Sequence, residues 1–279
     1  TNNLNILPEL INSYKQALYC IDNYKNDTLD LSSVRFFYPT TLTILSPFIK
    51  SNKPKEIRFN NRDVLQYFNI VMHDNVNVSK TFIPCIELTK ISANYDKEVC
   101  RIYDYIQEWS ENIYKPLAFV MDELVGNVYQ HAKHNNAYVL AQYYPNRRFV
   151  EVAIIDDGIG IPNSLRNAHK FVNTINDSDL IIKAIEGYSS KPEEGRAFGL
   201  GSSLRIVVER LNGEALVASI KGMIYLNNYN REMLISDTGY IKGTLIGIRI
   251  PIHDNADVIN VPAEADKRID LNRYSKLYI

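Results

Sequence analysis

Residues 119–132 read FVMDELVGNVYQHA. Phe119, Val120, Leu124, Val125 and Val128 recur among polar residues at helical spacing, which predicts an amphipathic helix. Residues four apart lie one above the other on a helix, so Glu123, Asn127 and His131 share a face. A carboxylate there orients a nucleophile, an amide oxygen binds a hard cation, and an imidazole meets a phosphate or donates from the helix face. Taken alone, the Glu123-to-Asn127 spacing is common, and a polar rim on an amphipathic helix explains it equally well. The rest of the chain decides between the two.

An apolar run, FVEVAIIDDGIGI at 149–161, reads as a strand that ends in Asp156-Asp157-Gly158-Ile159-Gly160. FGLGSSLRIVVERLNG at 198–213 places Gly199-Leu200-Gly201 at the opening of a helix. A glycine-rich turn feeding a helix offers backbone N–H groups and a positive dipole end to phosphate. KGTLIGIRIPI at 242–252 sets Gly243-Thr244 before a strand that ends at Pro251. Each motif is weak singly, and their fixed order makes the set specific.

Together the four resemble the GHKL ATP-binding superfamily, the Bergerat fold, which includes the gyrase B subunit, heat-shock chaperone ATPases, sensor histidine kinases and anti-sigma-factor serine kinases. ELVGNVYQHA is similar to its N box, DDGIG to its first glycine box, GRAFGLGSSL to its second and KGTLIGIRIPI to its terminal Gly-Thr strand. The resemblance covers residues 95–253 and implies ATP and Mg²⁺ as cofactors. It implies that Glu123 is the catalytic base and that Asn127 is the magnesium ligand. Asp156 would accept a hydrogen bond from the adenine amino group, with Gly158 and Gly160 letting the backbone approach the base and Thr244 supporting that side. Phosphate contacts fall to Gly199, Gly201 and the N–H groups of Ser202 and Ser203. Arg196 and Lys191 are phosphate partners or solvated loop charges, Arg196 being able to pair in bidentate fashion. Ser202 departs from the Gly-Leu-Gly-Leu form usual in the kinases, and His131 receives no role. The segment between Ile161 and Phe198 stands where the family carries a mobile lid.

The chain has 279 residues, is 46% hydrophobic and 23% charged, and carries a net charge of −1. Such a balance gives no support for bulk nucleic-acid or anionic-membrane binding. Cys20, Cys85 and Cys100 are odd in number and widely spaced, which fits a reducing compartment and three buried hydrophobes rather than a disulfide framework. No apolar run approaches the ~20 residues of a membrane span, and no signal-peptide pattern follows Thr1. A cytoplasmic protein is expected.

Three segments are predicted: a small α/β unit at 1–90, an ATP-binding domain at 91–254 and a polar, peripheral extension at 255–279. In the first, LDLSSVRFFYPTTLTIL at 29–45 resembles the strand-turn-helix of STAS domains, with Pro39, Thr40 and Thr41 where that family carries a phosphorylatable Ser. The alternative is an unrelated unit in which Thr40 or Thr41 caps a helix. HDNVNVSKTFIPCIELTK at 73–90 is read as a separator, because Pro84 argues against a central strand. YDKEVCRIYDYIQEWSENIY at 95–114 reads as one helix, with Val99, Ile102, Ile106 and Trp109 facing inward, and Pro116 as a break before the next.

The expected fold is α/β, with helices packed on a mixed, mainly antiparallel sheet in a two-layer sandwich. The expected function is Mg-ATP-dependent regulation, with γ-phosphate transfer to a protein Ser or Thr in the manner of anti-sigma kinases. An ATPase driving a conformational cycle and a nucleotide-gated interaction module without turnover remain open. The partner implied is a regulatory protein, of STAS type or a transcription regulator, with homodimerisation compatible and no direct nucleic-acid or membrane contact.

Overall fold

The computed structural model describes residues 7–72, 81–88, 95–109, 111–131, 134–168, 174–188, 199–252 and 261–279. Its first elements are α1 (Glu9–Asp22), β1 (Thr28–Asp30), α2 (Pro39–Asn52), β2 (Glu56–Arg58), α3 (Arg62–Met72) and β3 (Phe82–Glu87). Helices α4 (Tyr95–Gln107) and α5 (Glu111–His131) lead to the hairpin of β4 (Ala137–Tyr144) and β5 (Phe149–Asp156). Then come α6 (Ile161–Ala168), α7 (Asp177–Glu186) and α8 (Leu200–Arg205), the last continued by a π-helical turn at Ile206–Arg210. Strands β6 (Glu214–Ile220), β7 (Gly222–Asn227), β8 (Glu232–Ser236) and β9 (Ile241–Pro251) precede α9 (Val261–Ala265) and β10 (Ser275–Tyr278).

Eight strands form one sheet in the order β10-β8-β7-β6-β9-β5-β4-β3. It is mixed and mainly antiparallel, with β10 parallel to β8. This is the expected α/β architecture of helices on a mixed, mainly antiparallel sheet, but not the expected two layers, because α1 and α2 cover the face of the sheet opposite α5. At its centre β5 pairs residue by residue with β4 on one side and β9 on the other, Asp156 standing opposite Ala137 and Thr244.

Side chains alternate across a strand, and here both faces are covered. Val150, Val152 and Ile154 of β5 and Ile246, Ile248 and Ile250 of β9 join a core with Leu124, Val125 and Val128 of α5. Ile155 and Leu245 face the other way, into a second core with Leu10, Ile11, Tyr14 and Ala17 of α1 and Ile44 of α2. That double coverage explains why FVEVAII reads as a continuous apolar run and not as an alternating one.

The N-terminal and C-terminal segments are more closely tied to this sheet than their sequence suggests. β3, inside the stretch read as a separator, is an edge strand hydrogen-bonded to β4. Its register shifts between Ile83 and Ile86, which accommodates Pro84, a residue tolerated at edges and bulges. Helices α1 and α2 lie on the sheet through the second core, so the boundary near residue 90 runs between parts that share one sheet. β1 and β2 form a two-stranded parallel pair joined by α2. Thr40 and Thr41 are fully buried: the Thr40 hydroxyl donates to Glu151 at 2.8 Å and that of Thr41 to the Ser13 carbonyl at 3.2 Å. The polar tail contributes β10 and buries Ile269, Leu271 and Tyr274 in the larger core. Pro116 does not break a helix. α5 begins at Glu111, and the N–H missing at Pro116 would have reached only Asn112, in the first turn.

Candidate functional site

Leu124 and Val128 anchor α5 in the larger core and turn Asn127, between them, toward the ends of β5 and β9. A cavity of about 200 Å³ opens there. α6, α7 and the turn into α8 complete its wall, with Ile154, Ile246 and Leu165 supplying apolar surface.

Asp156 closes β5 and lines this cavity, only 5% exposed. Burial pushes its carboxyl up to about 7; N–H bonds from Gly158 and Thr244 pull it down, and the adjacent Asp157 charge adds to the rise. The Gly158 N–H reaches Oδ1 at 2.8 Å. Asp157 differs. Burial raises its carboxyl too, but donation from Asn136 and Asn135 outweighs this and holds it below the usual carboxylate range. The N–H groups of Asn135 and Asn136 meet Oδ1 at 2.7 and 2.8 Å, and the Asn136 amide meets Oδ2 at 2.8 Å. Asp157 therefore secures the approach to β4, while Asp156 keeps acceptor capacity facing the cavity.

Ser219 of β6 ties the end of the first glycine turn to the corner at Gly243. Its hydroxyl accepts from the Ile161 N–H at 3.0 Å and donates to the Gly243 carbonyl at 2.6 Å. Gly243 has φ +83°, and a Cβ there would lie 2.1 Å from the Asp156 carbonyl oxygen, so only glycine lets this corner press on the end of β5. Thr244 follows and lines the cavity.

A family model described as Histidine kinase-, DNA gyrase B-, and HSP90-like ATPase matches residues 112–253, just over half of the chain. The chain belongs to this ATPase family. No curated protein and no solved structure matches it. Membership implies ATP binding, and the residues present fit that ligand. Asp156 is a buried acceptor with an incomplete set of donors, and apolar walls flank it on the scale of a base.

Of the residues singled out in the sequence, Asn127, Asp156, Gly160, Gly199, Gly201 and Thr244 line this one cavity. Gly158 adjoins it through its bond to Asp156. Glu123 sits one helical turn before Asn127, half-buried, and is not among the lining residues. Ser202 requires correction. It is fully buried, its N–H and that of Ser203 both go to the Gly199 carbonyl, at 3.0 and 3.1 Å, and it does not line the cavity. The helix turns in immediately after Gly199, so Leu200 and Gly201 are the residues whose N–H groups its own ladder leaves over. Lys191, Arg196, residues 169–173 and 189–197 of the expected lid segment and the His131 side chain lie outside the described residues, and the remainder of that segment includes α6 and α7.

Sequence reasoning misses Ser219 and Arg268. Ser219 sits in a strand run, EALVASI, with nothing in its spacing to distinguish it from a core position. Arg268 lines the cavity from the C-terminal segment, after the last motif. Among the described residues no three His, Cys, Asp or Glu side chains stand close enough to hold a metal, and no helix is long and apolar enough to cross a membrane.

Proposed function

We propose that this chain binds Mg-ATP in the cavity and transfers the γ-phosphate to a Ser or Thr of a regulatory protein partner. The observation that carries the nucleotide part is Asp156: a buried carboxylate, pushed up to about 7, facing a cavity of about 200 Å³ between two glycine turns. Adenine presents a donor where guanine presents a carbonyl, and a carboxylate facing a carbonyl leaves both unmatched. Asn127, which lines the cavity, would hold magnesium by its amide oxygen; Mg²⁺ commonly takes one or two protein ligands and fills its shell with phosphate oxygens and water. ATP supplies the transferable phosphoryl group, and magnesium neutralises its charge. The residues of the chain orient it, and Glu123 takes the proton from the acceptor hydroxyl. Because Thr40 and Thr41 are buried and bonded, the acceptor is sought on a partner, and the STAS-like segment at 29–45 serves to dock α2 on the sheet.

A specific observation favours a second reading. Glu123 stands outside the cavity wall, as it would in a module that senses nucleotide and does not turn it over. Incubation with γ-labelled ATP, with and without cell lysate, separates the cases. Label on a partner protein supports transfer, free phosphate supports an ATPase cycle, and neither supports sensing. Glu123→Gln preserves helix propensity and shape. It lowers transfer or hydrolysis by about 10²–10⁴-fold under the catalytic reading, with nucleotide affinity retained. If ATP controls partner binding equally well in wild type and Glu123→Gln, and neither turns it over, the kinase reading is lost.

A further inference from the structure

The C-terminal segment reaches the cavity with a cation that no motif announces. Arg268 lines the cavity, is exposed, and has no hydrogen-bonded or ion-paired partner among the described residues. Its surroundings are shaped to receive it. The stem lies across Gly201, where a Cβ would stand 3.3 Å from Arg268 Cγ. The guanidinium lies over Gly187, the left-handed residue that ends α7 at φ +105°, where a Cβ would come within 2.5 Å of its carbon. The backbone is pinned at the same place, the Ile269 N–H donating to the Gly201 carbonyl at 3.1 Å. On one side Ile269, Leu271 and Tyr274 are buried in the larger core. On the other, Glu264 pairs with Arg205 of α8 and lies 3.8 Å from Arg210. An arginine held by its backbone and stem, with its fork left over at a cavity wall, is arranged for a ligand.

We propose that Arg268 binds the phosphate chain of the nucleotide, so that a segment beyond the matched residues 112–253 completes the site. This rests on the reading of the cavity as an ATP site. The chemistry is that of a guanidinium fork meeting phosphate oxygens in paired, charge-assisted hydrogen bonds. Gly201 links the two parts: its carbonyl holds the tail, and it belongs to the second glycine turn.

The test is calorimetric titration of the full chain with Mg-ATP, ADP and adenosine, using wild type, Arg268→Ala, Arg268→Met, Arg268→Lys and Asp156→Asn. Arg268→Met keeps an apolar stem over Gly201, and circular dichroism checks folding. The expected result is an ATP affinity about 10- to 100-fold weaker for Arg268→Ala and Arg268→Met, with adenosine affinity unchanged. Arg268→Lys recovers part of the loss, because it restores a charge without the fork. Should Arg268→Ala fail to fold, Arg268→Met carries the comparison. ATP binding within twofold of wild type in Arg268→Met, while Asp156→Asn weakens ATP and adenosine alike, overturns the proposal and leaves the nucleotide site standing. Equal loss of adenosine and ATP in the Arg268 variants also overturns it, since the residue would then only shape the cavity. Absence of ATP and adenosine binding in wild type overturns both readings.

Discussion

The two faces of the central sheet bury charge in opposite ways. Toward α1 and α2, Glu151 is fully buried. It accepts from the Thr40 N–H and hydroxyl at 3.0 and 2.8 Å, and from Arg249 Nε and Nη2 at 3.1 and 2.6 Å. Arg249 in turn lies over the Tyr38 and Phe149 rings, 4.8 and 4.5 Å from their centroids. Five residues along the same strand, on the other face, Asp156 is nearly as buried and far less satisfied. Burial alone therefore does not mark a site. A buried carboxylate surrounded by donors acts as a joint between helix and sheet; one left short of donors beside a cavity is available to a ligand.

The contrast is tested hardest by removing its satisfied member. Glu151→Ala leaves Arg249 buried with Glu214 as a remote partner at 3.7 Å. Loss of about 3–5 kcal/mol of stability is expected in urea unfolding at pH 7. ATP affinity of the folded protein should stay within about twofold, because the two sites share no partner. A large loss of affinity would erase the distinction between the faces.

Asp156→Asn should act in reverse. ATP binding weakens by about 1–3 kcal/mol in a calorimetric titration, the cost of a mismatched buried group. Stability moves the other way with pH. The carboxyl of the folded protein titrates near 7, above its ordinary value of 3.8, so the folded state holds the proton more tightly. Its stabilising contribution is complete below the lower value and lost as pH rises through the upper one, at a slope of up to about 1.4 kcal/mol per pH unit. Asn has no such titration. Melting curves of wild type without nucleotide should fall relative to Asp156→Asn between pH 4 and 7 and then run parallel. Parallel curves across the whole range would mean that Asp156 is better satisfied than its surroundings indicate.

The smallest effect sharpens the joint itself. Thr40→Val removes the 2.8 Å hydroxyl bond to Glu151 and keeps the 3.0 Å bond from the Thr40 N–H. A loss of about 1 kcal/mol is expected in the same unfolding experiment. A loss as large as that of Glu151→Ala would show that the hydroxyl, and not Arg249, governs the joint.

Much of the site is legible in the sequence. Asn127, Asp156 and Thr244 sit on strongly patterned elements, Gly160 lies in the turn between β5 and α6, and the motifs that carry them appear in the order of the fold. What escapes a reading of the sequence depends on long-range pairing. β3 carries Pro84 and a register shift, so its alternation is broken, and only its partner β4 makes it a strand. The residues of β10 are all exposed, and four such residues give no hydrophobic period to read. The patterns of α1 and α2 show that each hides a face, but an amphipathic stripe does not name the surface it meets. Ser202 is misplaced by its motif because one residue more or less at a helix start decides which N–H groups the ladder takes.

Residues 150–156 of β5 are buried on both sides. An ordinary surface strand offers evolution a respite at every second position, where water forgives a change. Here no such respite exists. In a saturation mutagenesis screen these positions should appear as an unbroken band of intolerance, the first six failing in protein abundance and Asp156 failing in nucleotide-dependent output.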